Sequence, residues 1–207
     1  MFSNMGRMWK TNPLFSTGLA LIVMVIVQTV ALTMNSSFGS FGEWFSNWLS
    51  NWISLLRNNA GIGIIALGMT FVIISGGIDL SVGSVYVAVG AFTMVMLDTG
   101  AGGWLGKLGL GGIPAILIAL VAAVLFGALL GEGNGLLISY GKMPPFIATL
   151  GAMQILRSVT QYFMKTQSTS LPEEYKAISR FTIGGQQLMP ILYWAIVAAV
   201  MYRISKR

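Results

Sequence analysis

The sequence predicts an all-α, polytopic membrane protein with about six transmembrane helices. Of its 207 residues, 55% are hydrophobic and only 9% are charged, which is too apolar for an ordinary soluble domain. Uncharged apolar segments recur along the chain at lengths close to the about 20 residues that a membrane helix needs. We therefore interpret residues 1–207 as a single membrane domain, with predicted spans at 13–34, 58–75, 80–97, 113–131, 145–165 and 188–203.

The composition also excludes several classes of chemistry. The chain has no cysteine and no histidine, so it lacks thiolate metal sites, disulfides and the commonest general base. It contains no phosphate-binding glycine loop and no nucleophile–base pair. We predict that it is not an enzyme and holds neither a metal nor a cofactor of its own. Its net charge of +6 is expected to flank membrane helices rather than to bind nucleic acid.

The segment that follows the first span is polar and aromatic. Trp44, Trp48 and Trp52 recur every four residues, so one face of a helix would carry all three indoles. This spacing predicts a short interfacial helix whose rings form a belt at the membrane surface. The alternative is that the rings bind a ligand.

A polar junction interrupts the second and third spans at Gly-Gly-Ile-Asp-Leu-Ser. Gly76 and Gly77 suit a tight reversal, while Asp79 or Ser81 could accept backbone N–H groups as an N-cap of the third span. A functional reading is that the interrupted helix pair places Asp79 and Ser81 along a substrate pathway. The two readings are compatible.

The fifth span carries a polar stripe. Gln154, Arg157, Ser158 and Gln161 occupy positions i, i+3, i+4 and i+7, which lie on one helical face. Arg157 falls about 18 Å beyond Pro145 along the axis, too deep to face lipid at low cost. We predict that this face lines a water-filled substrate pathway. Alternatively, Arg157 pairs with a carboxylate or a carbonyl, or snorkels from an early helix end.

The fourth span carries small residues at a spacing of four. Gly127, Gly131 and Gly135 predict a surface on which another helix packs closely. Glu132 lies beside this stripe near the helix end, where solvation or a salt bridge to Lys142 is favoured over a role as a proton site.

The distribution of charge predicts the orientation. With six spans and an inward N-terminus, the inner segments carry only basic residues, as the positive-inside rule expects. Both termini are then cytoplasmic, and the junction at Asp79 faces the cytoplasm. The inner basic residues are Arg7, Lys10, Lys142, Arg203, Lys206 and Arg207.

Three motifs carry a resemblance to a known family. The run from Gly68 to Gly83, Gly-Met-Thr-Phe-Val-Ile-Ile-Ser-Gly-Gly-Ile-Asp-Leu-Ser-Val-Gly, is the most specific. Gly-Asn-Gly-Leu-Leu at 133–137 and Met-Pro-Pro-Phe-Ile-Ala-Thr-Leu-Gly at 143–151 accompany it. Together they resemble the permease subunits of bacterial sugar ABC importers of the ribose, xylose and galactose type.

The resemblance implies a transport subunit of the bacterial inner membrane. Its expected partners are a cytoplasmic ATPase that binds ATP in a separate chain, a second permease copy or homologue, a periplasmic sugar-binding protein, the lipid bilayer and a sugar. Members of that family are longer, so we expect a fragment, a natural truncation or half of a split permease. The alternative function is a truncated, non-transporting or regulatory membrane remnant of such a permease.

Overall fold

The computed structural model describes residues 13–35, 39–100, 103–164, 170–183 and 186–206, and helices dominate them. One short antiparallel hairpin pairs Thr182 with Gln187 and Ile183 with Gln186. In chain order the elements are α1 (Pro13–Asn35), α2 (Phe41–Ile74), α3 (Val82–Leu97), α4 (Trp104–Lys107), α5 (Gly112–Ser139), α6 (Pro145–Met164), α7 (Glu173–Arg180), β1 (Thr182–Ile183), β2 (Gln186–Gln187) and α8 (Met189–Ser205).

The helices have the lengths and apolarity of a membrane protein. Three helices of the described chain are long and apolar enough to cross a bilayer, namely α1 from Phe15 to Met34, α2 and α5. The apolar helices α3 and α8 are shorter. Helix α6 has 20 residues, about 30 Å of helix, and is more polar because it carries the stripe around Arg157. The helical membrane class predicted from composition is confirmed.

Contacts along the chain group into two compact units, residues up to Leu56 and residues from Arg57 onward. Within the first unit, the indole N–H groups of Trp44 and Trp48 donate hydrogen bonds to the hydroxyls of Thr33 and Thr29, at 3.0 and 2.9 Å. The second bond joins a residue four positions later on α2 to a residue four positions earlier on α1 than the first bond does, as expected for antiparallel helices. We refer to these two bonds as the Trp–Thr ladder.

The ladder changes the interpretation of the aromatic segment. Instead of a short separate helix at the membrane surface, the segment belongs to the 34-residue helix α2, because no proline interrupts the chain between Phe41 and Ile74. The rings of Trp44 and Trp48 stack 6.4 Å apart, with their polar edges turned to α1. Their N–H groups are therefore engaged by the protein itself and are not available for a ligand.

In the second unit, α3 packs against both α5 and α6. Small residues allow this, since Ala88, Ala115 and Ala119 are buried where the helices meet. At the end of the bundle where α3 finishes, the amphipathic helix α7 places Tyr175 and Ile178 against the apolar cluster. The buried members of that cluster are Met96, Leu97, Leu105, Ala115, Ile116 and Ala119.

Two loops are bound to each other at this same end, which we call the loop end. The Asp98 carboxylate accepts hydrogen bonds from the N–H groups of Gly100 and Ser170, both at 3.0 Å. The N–H and hydroxyl groups of Thr99 donate to the Ser170 carbonyl at 2.8 and 2.9 Å. These bonds connect the segment after α3 to the segment before α7.

Residues 75–81, which we call the junction, lie at the opposite end of the bundle. Helix α2 stops at Ile74 because Gly76 adopts a φ of 74°. Its N–H donates to the Ile73 carbonyl, and the N–H of Gly77 donates to the Val72 carbonyl, the two bonds of a Schellman cap. A left-handed residue is rarely anything but glycine at such a position, so Gly76 allows the chain to leave the helix there.

Candidate transport site

The polar stripe of α6 is formed by the side chains of Gln154, Arg157, Ser158 and Gln161. All four residues are exposed. None of the four side chains makes a hydrogen bond or an ion pair to another described residue. Among the residues that the structure describes, Arg157 therefore has neither the carboxylate nor the carbonyl partner that a purely structural role would need. Helix α6 continues seven residues beyond Arg157 to Met164, so the arginine is not at an early helix end.

The opposite face of α6 is committed to packing. Ala148 and Thr149 are buried against the bundle. Further along the helix, Leu156 and Thr160 line an apolar cavity of about 270 Å³ together with Phe92 of α3 and Phe126 of α5. Because this face holds the helix in the bundle, the stripe is turned away from α3 and α5. Inside a membrane, a face of amide, hydroxyl and guanidinium groups would require water, a solute or a polar partner.

Asp79 and Ser81 occupy a different environment from the stripe. Ser81 has no exposed surface, and its hydroxyl donates to Asp79 Oδ1 at 2.6 Å while accepting a bond from Asn134 Nδ2 at 2.8 Å. The Ser81 N–H also donates to Asp79 Oδ1, at 2.8 Å. The N–H that Asp79 accepts belongs to Ser81, which precedes α3, so neither the Asp79 carboxylate nor the Ser81 hydroxyl caps a helical N–H and the predicted side-chain N-cap is not formed. In this conformation Ser81 presents no group to a solute.

The glycine stripe of α5 has contacts at one of its three positions. A Cβ on Gly127 would lie 3.5 Å from Val89 Cγ2 of α3, whereas Gly131 and Gly135 face open space in the described chain. Close packing against another helix stays a prediction for those two positions. Glu132 is exposed and makes no salt bridge with Lys142, which leaves a solvated helix end as the remaining one of the two favoured readings.

The charged groups at the loop end have local partners. Lys176 donates a hydrogen bond to Glu173 at 2.6 Å, and its ammonium lowers the pKa of that carboxyl below its ordinary value. Arg57 of α2 donates to Gln187 Oε1 at 3.4 Å and to Asn58 Oδ1 at 3.3 Å. A cavity of about 500 Å³ also lies at the loop end, and its lining includes Asp98 and Glu174.

Sequence reasoning missed Asn134 and Thr149. Both are polar residues near the junction, and such residues are expensive in a membrane unless they are bonded. That signal was visible, but their partners could not be read from spacing because the bonds join residues 53 and 71 positions apart. No group of candidate metal ligands occurs in the part of the chain that the structure describes.

A helical membrane bundle with a polar face on one of its helices is an arrangement that solute transporters use. Comparison with known proteins identifies the class directly. Residues 51–207 match the family described as the permease component of branched-chain amino acid transport systems, and the chain belongs to this family.

The relatives with known roles are similar over part of their length. The chain is 44% identical over 115 residues to the inner membrane ABC transporter permease protein YjfF of Escherichia coli, which covers 56% of this chain and 31% of that protein. It is 31% identical over 189 residues to the ribose import permease protein RbsC of Haemophilus influenzae, covering 89% and 52%. It is 37% identical over 147 residues to the xylose transport system permease protein XylH of Escherichia coli, covering 71% and 33%.

The chain therefore spans about half the length, or less, of the curated relatives that it matches. No solved structure matches it. The resemblance to sugar permeases that the motifs indicate is confirmed by these relatives.

Proposed function

We propose that this chain is the membrane-spanning permease portion of an ATP-binding-cassette importer that passes a monosaccharide across the bacterial inner membrane. The observation that carries the proposal is its membership of the permease family combined with relatives named for ribose and xylose transport. The energy for transport would come from ATP bound by a separate cytoplasmic ATPase. A periplasmic binding protein would deliver the sugar, and a second permease copy or homologue would complete the pathway.

The chemistry of the α6 stripe is suited to a polyhydroxylated solute such as a sugar. Amide, hydroxyl and guanidinium groups can donate and accept the many hydrogen bonds that a polyhydroxylated solute loses when it leaves water. The aliphatic side chain of an amino acid would gain nothing from Gln154, Ser158 and Gln161, but its carboxylate could pair with Arg157, so the preference for a sugar rests on the relatives named for ribose and xylose transport. We assign these three residues and Arg157 to the wall of the pathway, with Asp79 and Ser81 near its junction end.

The orientation follows from charge. Apart from Asp79 in the junction, the inner loops and termini would carry basic residues without acids, and from this asymmetry we infer that both termini and the junction face the cytoplasm. The loop end, with Glu173, Glu174 and Arg180 on α7, would then face the periplasm and the loaded binding protein.

Uptake measurements test this proposal. Cells that express the chain with its ATPase and binding protein are given radiolabelled ribose, xylose or leucine. We expect uptake of a sugar and not of leucine. Arg157→Leu should lower sugar uptake by about tenfold or more, the loss typical of a hydrogen bond to a charged group, with normal insertion. Ile155→Leu, an exposed apolar neighbour on the same helix, is the matched control and should transport normally.

Each contrary result has a definite meaning. Normal uptake by Arg157→Leu removes the pathway assignment of α6. Uptake of leucine alone contradicts the substrate class. Insertion of the unsubstituted chain with no uptake of any solute supports the alternative, a non-transporting remnant of a permease.

A further inference from the structure

The two largest fully buried side chains in the described residues are both polar, and both lie at the junction end of the bundle. They are Ser81 and Thr149, which are 0% and 2% exposed. Elsewhere the buried core consists mainly of alanine, leucine, isoleucine and methionine side chains. A buried hydroxyl destabilises a fold unless its hydrogen bonds are made. Their partners therefore indicate what these residues do.

The bonds around Ser81 form a directed chain across two elements. The amide of Asn134, on the last part of α5, donates to Ser81 Oγ at 2.8 Å, and Ser81 Oγ donates to Asp79 Oδ1 at 2.6 Å. The direction is defined because the Asn134 nitrogen can only donate. The hydroxyl of Ser84 donates to the Ser81 carbonyl at 2.8 Å. The junction is thereby connected to α5 through a single side-chain hydroxyl.

Helix α6 reaches the same place through Thr149. Its hydroxyl donates to the Pro145 carbonyl at 2.8 Å within α6 and lies 3.4 Å from the Ile78 carbonyl of the junction. The second contact is long, so it is the weaker of the two. Because Thr149 is buried, water does not compete for these acceptors.

We propose that Asn134 and Ser81 are positioning residues that hold the end of α5 and the start of α3, with α6 beside them, as one rigid body. We call Asp79, Ser81 and Asn134 the hub. In a protein that alternates between conformations, helices bonded in this way move together instead of sliding past one another. The hub is distinct from the pathway face of α6, and the inference stands whether or not the solute is a sugar.

Hydrogen–deuterium exchange of the full chain in detergent or nanodiscs tests the hub. Asn134→Leu removes the bond from α5 while keeping a side chain of similar size. Hydrogen bonds between membrane helices contribute about 0.6 kcal/mol on average and about 1.7 at most. We therefore expect exchange to accelerate about 3- to 18-fold in amides 78–85 and in the last turns of α5, with the loop end unchanged.

Thr93→Val is the matched control. Thr93 is a buried residue of α3 whose hydroxyl donates only to the Val89 carbonyl of the same helix, at 2.8 Å. Removing it deletes a buried hydroxyl without breaking a bond between helices, so amides 78–85 should exchange at the unsubstituted rate. If Thr93→Val and Asn134→Leu give the same pattern, or if Asn134→Leu leaves these amides unchanged, the hub does not hold the helices together.

A second test changes the charges at positions 134 and 79 and does not require the fold to accept a leucine at position 134. Asn134→Asp faces the Asp79 carboxylate across Ser81, and two carboxylates then compete for one hydroxyl proton and repel each other. Adding Asp79→Asn removes this repulsion, and the amide oxygen at position 79 can still accept the Ser81 N–H that Asp79 Oδ1 accepts in the unsubstituted chain. We expect the double variant to exchange more slowly in amides 78–85 than Asn134→Asp alone. Failure of Asp79→Asn to rescue Asn134→Asp would overturn the proposed bond chain.

Discussion

Gly63 brings α2 against the indole of Trp194 on α8, and replacing it with alanine should force the two helices apart. An added Cβ would lie 2.6 Å from Trp194 Cε2 and 2.7 Å from Nε1. Carbon atoms in contact prefer about 3.5–4.0 Å, so the ring or the backbone must move by about 1 Å. Gly68 of the same helix has nothing within 4 Å of its added Cβ, which makes Gly68→Ala the matched control.

The magnitude follows from two opposing terms. Overpacking a core by a methyl group costs about 1–3 kcal/mol, while glycine to alanine inside a helix stabilises by about 1 kcal/mol. At Gly68 only the stabilisation from replacing glycine with alanine applies, because the added methyl group contacts nothing. The two variants should therefore differ in free energy of unfolding by about 1–3 kcal/mol, with Gly63→Ala the less stable. For a chain of this size that corresponds to about 2–12 °C in midpoint.

The assay is the apparent melting temperature in detergent, followed by size-exclusion chromatography after heating. The reasoning also predicts a rescue. In a Trp194→Leu background the indole is absent, so Gly63→Ala should no longer be less stable than Gly68→Ala. Equal melting temperatures for the two alanine variants in the unsubstituted chain would refute the close approach of α2 and α8.

Two further predictions concern the Trp–Thr ladder and the surface charges. The double substitution Thr29→Val and Thr33→Val keeps the shape of both side chains but leaves two indole N–H groups without acceptors. Because each bond contributes about 1 kcal/mol, the apparent melting temperature should fall by a few degrees. An unchanged melting temperature would contradict the ladder. Lys176→Met should raise the pKa of Glu173, which Lys176 lowers, as measured by carboxyl NMR titration. Because the folded pKa is depressed, the stabilisation from this pair is present above the unfolded pKa and is lost as pH falls through the folded pKa; an unchanged titration would show that the pair does not persist in solution.

The sequence predicted the helices better than the contacts between them. Hydropathy alone indicated where the apolar segments lie, since a bilayer demands both length and apolarity, and Gly76 marked the break because few other residues adopt its φ. Trp44 was misplaced in a separate surface helix, because periodicity places side chains on a face but does not identify the element that covers it. The bond from Asn134 to Ser81 depends on how α5 packs against the junction, which no local pattern encodes.

The stripe on α6 was predicted as a set of residues, and its environment required the structure. Periodicity put Gln154, Arg157, Ser158 and Gln161 on one face, but only the packing of α6 through Ala148 and its neighbours shows that this face is turned away from the bundle. Whether an exposed polar face meets water depends on what surrounds it in the bilayer.

Cysteine accessibility measures that environment directly. The chain has no cysteine, so single substitutions Gln154→Cys, Ser158→Cys and Gln161→Cys can be labelled in intact membranes with a charged, membrane-impermeant thiol reagent. Ile155→Cys, on the apolar part of the same helix, is the control, because only a hydrated thiol forms the reactive thiolate readily. If the stripe lines a water-filled pathway, the three positions react faster than position 155, and the transported sugar slows them. If they react no faster than position 155, the stripe does not line a pathway and the central claim is wrong.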